Sequence, residues 1–391
     1  MTARAPQPMW TWTGAVPRAH GAAAGARDPL AASVVAPNLF APMPAASFAA
    51  SATLDATAMS APAALHELRG LSMGTTWSVK LVAPVSALVG LERGIQAMLD
   101  EVVAQMSTWE TDSDISRYNR AAAGSAHVLP APFAEVLHAA LALAADTDGA
   151  YDPTIGPLAD LWGFGPAGAR AQAPAAAPLA RARERVDWRR LRFDPLARVL
   201  SQPGGAYLDF SSIAKGYGVD RVADWLLAHG VADCLVEVGG ELRAHGRKPD
   251  GSAWRIAVEQ PGREDQAVAV IALDRLSIAT SGDYRRYFEQ SGSEYRGGER
   301  SGAPAGGARR YSHTLDPRTG APIDNAVASV TVLHERCMHA DALATALTVL
   351  GARAGLAYAN RRQLAALFVL REGEGFVTRT TAGFVARQRS A

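Results

Sequence analysis

Asp341 and Thr345 stand four residues apart in HADALATALTVLG, a spacing that sets both on one side of a helix. The pair puts a carboxylate beside a hydroxyl. Hard cations such as magnesium take oxygen ligands of this kind, and a substrate diphosphate can complete the shell. The same spacing also suits a helix that begins near Asp341 and turns Thr345 to solvent. A second group stands in LDFSSIAKGYG. Asp209 ends a short apolar run, Ser211 or Ser212 can open a helix, and Lys215 can approach an anion held at that terminus. Asp209 can instead accept a hydrogen bond from a ligand, and a backbone oxygen near Ser212 can bind metal. Without a ligand the segment reads as a helix cap followed by an exposed lysine.

GDYRRYF and YSHTLDPRTG contribute Asp283, Tyr284, Arg285, His313, Asp316 and Arg318. Glycine and proline among polar residues make turns that aim side chains and amides into a cleft. His313 can act as a base near neutral pH, or it can secure a turn. Arg318 can pair with Asp316 or Asp324. The sequence contains no GxGxxG after a strand pattern, no GxxxxGK[ST] loop and no HExxH, so dehydrogenase and phosphate-loop ATPase chemistry lose support.

Several elements must carry these groups. Leu68, Trp77, Val79 and Leu81 predict a strand pair about the turn at Gly74. Leu88, Ile95, Leu99, Val102 and Met106 recur at helical spacing and predict one broad apolar face. APFAEVLHAALALAADTDG predicts a second helix ending near Gly149, before a structured loop at AYDPT. Tyr207 to Phe210 read as a short strand leading into a helix that starts near Ser211 or Ser212. CLVEVG, WRIAVEQ and QAVAVIALDRLSIATSG read as further strands. The pattern predicts an α+β fold of mixed, largely antiparallel sheets with packed helices, not a regular βα repeat. Residues 1–65, rich in Ala and Pro, read as a flexible leader, processed or translated from an upstream start. The domain proper is expected at 66–391, with surface insertions near 172–180 and 291–309.

With 391 residues, 48% of them hydrophobic, the chain can bury a large core. Thirty-nine basic against 38 acidic residues leave a net charge of +1, which gives no electrostatic case for nucleic acid as a partner. Cys234 and Cys337 are too few for a disulfide framework or a cysteine-rich metal site and are expected reduced and buried. No stretch reads as a transmembrane helix. The first residues show neither a basic segment followed by an apolar run nor a cysteine for lipid attachment.

MGTTWSVK, MSTWETDSDISRYN, GAYDPTIGPLADLWGFG, LDFSSIAKGYGVD, VEVGGELRAHG, SGDYRRYF, YSHTLDPRTGAP and HADALATALTVLG together, in this order, closely resemble the ApbE family of FAD:protein FMN transferases. The resemblance runs from about residue 68 to 360. It implies an α/β fold with FAD in a cleft and Mg2+ at its diphosphate, held by Asp341, Thr345 and the backbone oxygen of Ser212. It further implies flavin or nucleotide contacts from Met73, Trp109, Ala150, Tyr151, Asp152, Asp209, Lys215 and Thr314. Ser211, Ser212, Thr314 and Glu241 stand where relatives commonly differ. The implied reaction moves FMN from FAD to a Ser or Thr hydroxyl of an acceptor protein and releases AMP. Lys215 would assist electrostatically and His313 would act as base. The acceptor would carry a short Ser/Thr motif and belong to a redox, membrane-associated protein. Family resemblance points to the bacterial periplasm or the outer face of the inner membrane, while the leader leaves a cytoplasmic location open. Two alternatives share these residues: a metal-dependent FAD pyrophosphatase giving FMN and AMP, and a noncatalytic flavin-binding assembly protein.

Overall fold

Met73 and Gly74 turn the chain with positive φ of 52° and 70°, the two-residue geometry whose twist matches paired strands. They join β1 (Ala64–Ser72) to β2 (Thr75–Ala83), as the alternation there predicts. The computed structural model describes residues 63–283, 287–290 and 309–389. Nearly all of the expected leader, most of the insertion at 291–309, and Tyr284 and Arg285 lie outside the described residues.

Six more strands extend the hairpin into an eight-stranded antiparallel sheet. These are β3 (Cys234–Val238), β4 (Glu241–His245), β5 (Leu276–Gly282), β6 (Val327–His334), β7 (Ala365–Glu372) and β8 (Gly375–Thr380). Their spatial order is their order along the chain. Successive side chains alternate between the faces. Cys234, Val236, Val238, Ala366 and Phe368 face one side, and Leu235, Ala365, Leu367 and Val369 the other.

Helices cover the first face. Chief among them are α1 (Leu91–Met106), α3 (Ala131–Asp146), α6 (Ala214–Ala228) and α7 (Cys337–Arg361). Ile95, Leu99, Val102 and Met106 of α1 are buried at the predicted spacing, whereas Leu88 belongs to a preceding 3-10 turn. The second face is covered by the hairpin Trp254–Gln260/Arg263–Leu273 and by Phe384 of the last helix, α8 (Ala382–Arg389). Among the described residues α7 is the one helix long and apolar enough to cross a bilayer. Most of its apolar residues lie in the core, against β5, β6 and α6.

Shorter helices are α2 (Asp114–Asn119), α4 (Gly156–Trp162) and α5 (Ala176–Arg183), beside several short strands outside the main sheet. The last of these makes the stretch near 172–180 partly helical. Leu158, Trp162, Ala182, Tyr311 and Leu315 form a satellite core beside the main one. Both cysteines are free and buried.

The structure corrects two expectations. Tyr207–Phe210 is not a strand. The side-chain amide of Asn119 takes the place of a neighbouring strand, accepting from Leu208 N–H at 2.7 Å and donating to Leu208 C=O at 2.9 Å. Nor does a serine hydroxyl cap the helix that follows. The turn at 211–213 is held by Asp209, which accepts from Ser211 N–H at 2.7 Å, and α6 begins only at Ala214.

Candidate active site

The closest approach of α6 to α7 falls at Gly216. A Cβ there would sit 2.4 Å from the carbonyl oxygen of Cys337 and 2.8 Å from the Cβ of Asp341, so only glycine lets the helices meet. The contact brings Asp341 to the start of α6, where Gly216 N–H donates to its Oδ2 at 3.0 Å. An early helical N–H lacks a partner in its own helix, and a carboxylate suits that terminus. Asp341 is 6% exposed. It therefore lies in the second turn of a buried helix, not at an exposed helix start.

This one hydrogen bond leaves three oxygens available. Gly216 N–H is the group that would otherwise reach back to the carbonyl of Ser212, and among the described residues no backbone hydrogen bond ends on that carbonyl. The second oxygen of Asp341 accepts from no described residue. The half-buried hydroxyl of Thr345 likewise makes no hydrogen bond to a described residue, whereas Thr348 on the same helix bonds back to Ala344 at 2.8 Å. A carboxylate, a hydroxyl and a carbonyl oxygen make a donor set of the hard type that magnesium prefers. The residues present thus fit the group that the sequence implied.

Lys215 lies beside this carboxylate but pairs elsewhere. Its Nζ is 2.6 Å from Oε1 of Glu241, the first residue of β4, which is 4% exposed. Burial raises the pKa of both Glu241 and Asp341, and the Lys215 ammonium pulls each partly back. Burial alone would lower Lys215. The charges of Asp341 and Glu241 more than reverse this, so its ammonium is held above the ordinary lysine value.

A second aspartate fixes the partner helix. Asp220, on α6 and fully buried, accepts from Cys337 N–H and Met338 N–H at 3.0 Å each, and so caps α7. Arg243 at 2.8 Å and Arg336 at 3.3 Å balance its charge. Each helix thus caps the other: α6 through Asp220, α7 through Asp341. The sequence reading missed Asp220. Its spacing of four from Gly216 in GYGVD, on the face where the helices meet, was the available signal. Glu241 was noted only as a departure from relatives.

The loop after α3 forms a wall of the same site. Ala150 and Tyr151 are buried, and Ser212 Oγ donates to the Tyr151 hydroxyl at 3.2 Å. Burial first, and then the charges of Asp341, Asp209 and Asp152, hold the Tyr151 phenol well above its usual range. Asp209 N–H donates to Pro153 C=O at 2.8 Å, which ties this loop to the entry of α6. Asp152 directs its oxygens inward. It accepts from Thr154 N–H and Oγ1 and from Trp188 N–H, which makes it the clamp of its own loop. Burial raises its pKa.

The remaining predicted residues occupy other places. Met73 extends its terminal methyl to Gly218 and Leu99, joining the turn to α6 and α1. Trp109 is 58% exposed at the tip of a loop closed by Ser113, whose hydroxyl donates to Ser107 C=O at 2.6 Å. A tryptophan left this open offers a stacking face. His313 is half-buried, with its ring edge-on to Phe164 at 6.3 Å, and Thr314 is buried. Arg318 pairs with Asp316 at 2.8 Å, and Asp283 is held by Arg371. A cavity of about 520 Å³ borders Asp152, Arg183 and Arg318 but none of Ser212, Lys215, Asp341 or Thr345.

The sequence model of one family, the ApbE family, matches residues 73–368. The FAD:protein FMN transferase of Vibrio cholerae is 38% identical over 328 residues, which cover 83% of this chain and 92% of that protein. That of Haemophilus influenzae is 38% identical over 329 residues, 81% of this chain and 90% of its own. Among solved structures, the apo form of Pseudomonas stutzeri flavinyl transferase ApbE aligns with a TM-score of 0.74 at 43% identity, covering 83% of this chain and 97% of that one. The Vibrio cholerae flavin transferase ApbE aligns with a TM-score of 0.73 at 37% identity, covering 83% and 100%.

Proposed function

This chain belongs to the ApbE family, and from that membership we propose that it is an FAD:protein FMN transferase that works with magnesium at Asp341, Thr345 and the Ser212 carbonyl. FAD is the donor and is consumed. A serine or threonine hydroxyl of the acceptor protein attacks the phosphorus on the FMN side of the diphosphate. A new P–O bond forms, the bond to the AMP half breaks, and AMP leaves with the bridging oxygen. When bound, magnesium would neutralise the diphosphate and the charge that develops on its oxygens.

The observation that carries this reading is the capture of Gly216 N–H by Asp341. The capture frees the Ser212 carbonyl, and the second Asp341 oxygen and the Thr345 hydroxyl likewise have no hydrogen-bond partner among the described residues. Lys215 adds fixed positive charge beside them. Trp109 offers a face to the flavin ring, while Met73, Ala150, Tyr151 and Asp209 shape the walls. Asp152 and Thr314 support those walls from behind. His313 takes the proton from the attacking hydroxyl in this proposal, and the acceptor is a membrane-associated redox protein bearing a short Ser/Thr motif.

The test is incubation of the purified protein with FAD, Mg2+ and candidate acceptors, followed by intact-mass and peptide analysis. The expected result is an FMN adduct on an acceptor Ser or Thr with release of AMP, halted by a chelator and restored by Mg2+. Release of free FMN and AMP without an adduct would replace transfer by hydrolysis. Full adduct formation in chelator would remove magnesium from the mechanism.

A further inference from the structure

Lys215 has two carboxylates within its electrostatic reach and makes its ion pair with one of them. The pair is with Glu241 at 2.6 Å, and Asp341 forms no ion pair among the described residues. Left to itself, a flexible lysine beside an unpaired buried carboxylate would close on it, because a buried charge gains most from a direct partner. Something must hold it away.

The turn between β3 and β4 is built to do so. Gly239 and Gly240 have positive φ of 60° and 103°. A Cβ on Gly239 would meet Thr75 at 2.8 Å and the Lys215 stem at 3.4 Å, so the lysine lies along the bare backbone of this turn. The turn itself is pinned. Gly239 N–H donates to Thr76 C=O at 3.1 Å, and Gly240 N–H donates to Glu237 at 2.8 Å. Glu241 follows at once, buried, with Oε1 on the ammonium and Oε2 buried without a partner. A carboxylate left half-satisfied in the interior is costly unless its position serves something else.

We propose that Glu241 is a positioning residue that holds Lys215 off Asp341, and so keeps the Asp341 carboxylate open for the divalent cation. The inference rests on the metal reading of Asp341 given above. Without Glu241 the ammonium swings to Asp341 and competes with the cation for the same oxygen.

Mn2+ binding, followed by its electron paramagnetic resonance signal with ADP present as a diphosphate, tests this directly. Glu241→Gln is expected to weaken Mn2+ by about tenfold or more, the size typical of losing a group that supports a metal ligand. Lys215→Met removes the competitor. In that background Glu241→Gln is expected to change Mn2+ affinity by less than about twofold, because residues acting through one another do not add. A general packing defect would weaken binding equally in both backgrounds, and that result would overturn the proposal, as would unchanged affinity in the single variant. Asp341→Ala in the same titration separates the two ideas. If it too leaves Mn2+ binding intact, the metal reading itself has failed. Thermal unfolding monitors the fold of each variant. Should Glu241→Gln not fold, Glu241→Asp carries the test, with a smaller loss in the same direction and the same cancellation with Lys215→Met.

Discussion

Two buried aspartates cap the two helices of one junction, and they differ in what surrounds the cap. Asp220 accepts from two backbone N–H groups and meets two arginines, so each of its oxygens is engaged and its charge is balanced. Asp341 accepts from one N–H, and the cation nearest to it is committed to Glu241. Burial raises the pKa of both. A saturated buried carboxylate fixes structure. One that is desolvated, capped on one side and otherwise unmatched is poised to take a cation.

The comparison can be broken most sharply at Asp341. Asp341→Ala should reduce FMN transfer per folded molecule at least about a thousandfold, equivalent to about 4 kcal/mol of lost transition-state stabilisation, as read by single-turnover AMP release. Activity within tenfold of the parent would place Asp341 in the same structural class as Asp220. Asp220→Ala should show the opposite profile. It strands two helix-terminal N–H groups and leaves Arg243 and Arg336 only their pairs with other acids such as Asp224, and denaturant unfolding should report a loss of about 3 kcal/mol. Its transfer rate, corrected for the folded fraction, should fall far less than that of Asp341→Ala.

Ser212→Ala sharpens the donor set. It removes the hydroxyl that reaches Tyr151 but keeps the carbonyl, so stability should drop by about 1 kcal/mol while Mn2+ affinity stays within about twofold. A tenfold affinity loss would mean that the side chain, not the backbone, serves the cation.

The smallest effect concerns His334 and His339, which flank the start of α7 with rings 5.0 Å apart. Burial holds both below the ordinary imidazole value, His339 at about 4. Unfolded chains take up these protons first, near pH 6.5. The stability contributed by the neutral rings is therefore present above that value and lost as pH falls toward the folded pKa. The unfolding midpoint of the metal-free protein should decline between about pH 6.5 and 4, and His339→Gln should flatten the decline. An equal slope in the variant would remove His339 from the effect.

Much of this was legible in the sequence because it is local. The apolar face of α1, the turn at Met73–Gly74 and the Asp341/Thr345 spacing each depend on residues within one or two turns of one another. What stayed hidden depends on partners far apart in the chain. The cap on Gly216 comes from 125 residues away, and the cap on Cys337 from 117. Tyr207–Phe210 read as a short strand from its own composition, yet its backbone partners are the amide of Asn119, 89 residues earlier, and the carbonyl of Pro153. Ser211 and Ser212 have the composition of a helix cap, but an aspartate brought in from α7 already occupies that terminus. Glu241 stood out in the sequence only as a departure from relatives, and only folding buries it against Lys215.

The sheet follows the chain strand by strand, each new strand joining the one made before it. No strand has to be inserted between two already paired, so assembly can advance from the Met73 turn toward the C-terminus as the polypeptide is synthesised. The mutual caps are the exception. Between the synthesis of α6 and that of α7 the entry of α6 stays uncapped, and Asp220 has no helix terminus to hold. Both caps close when the segment from Cys337 to Asp341 arrives, so a chain interrupted before that point can build six of its eight strands in order and still have no cation site.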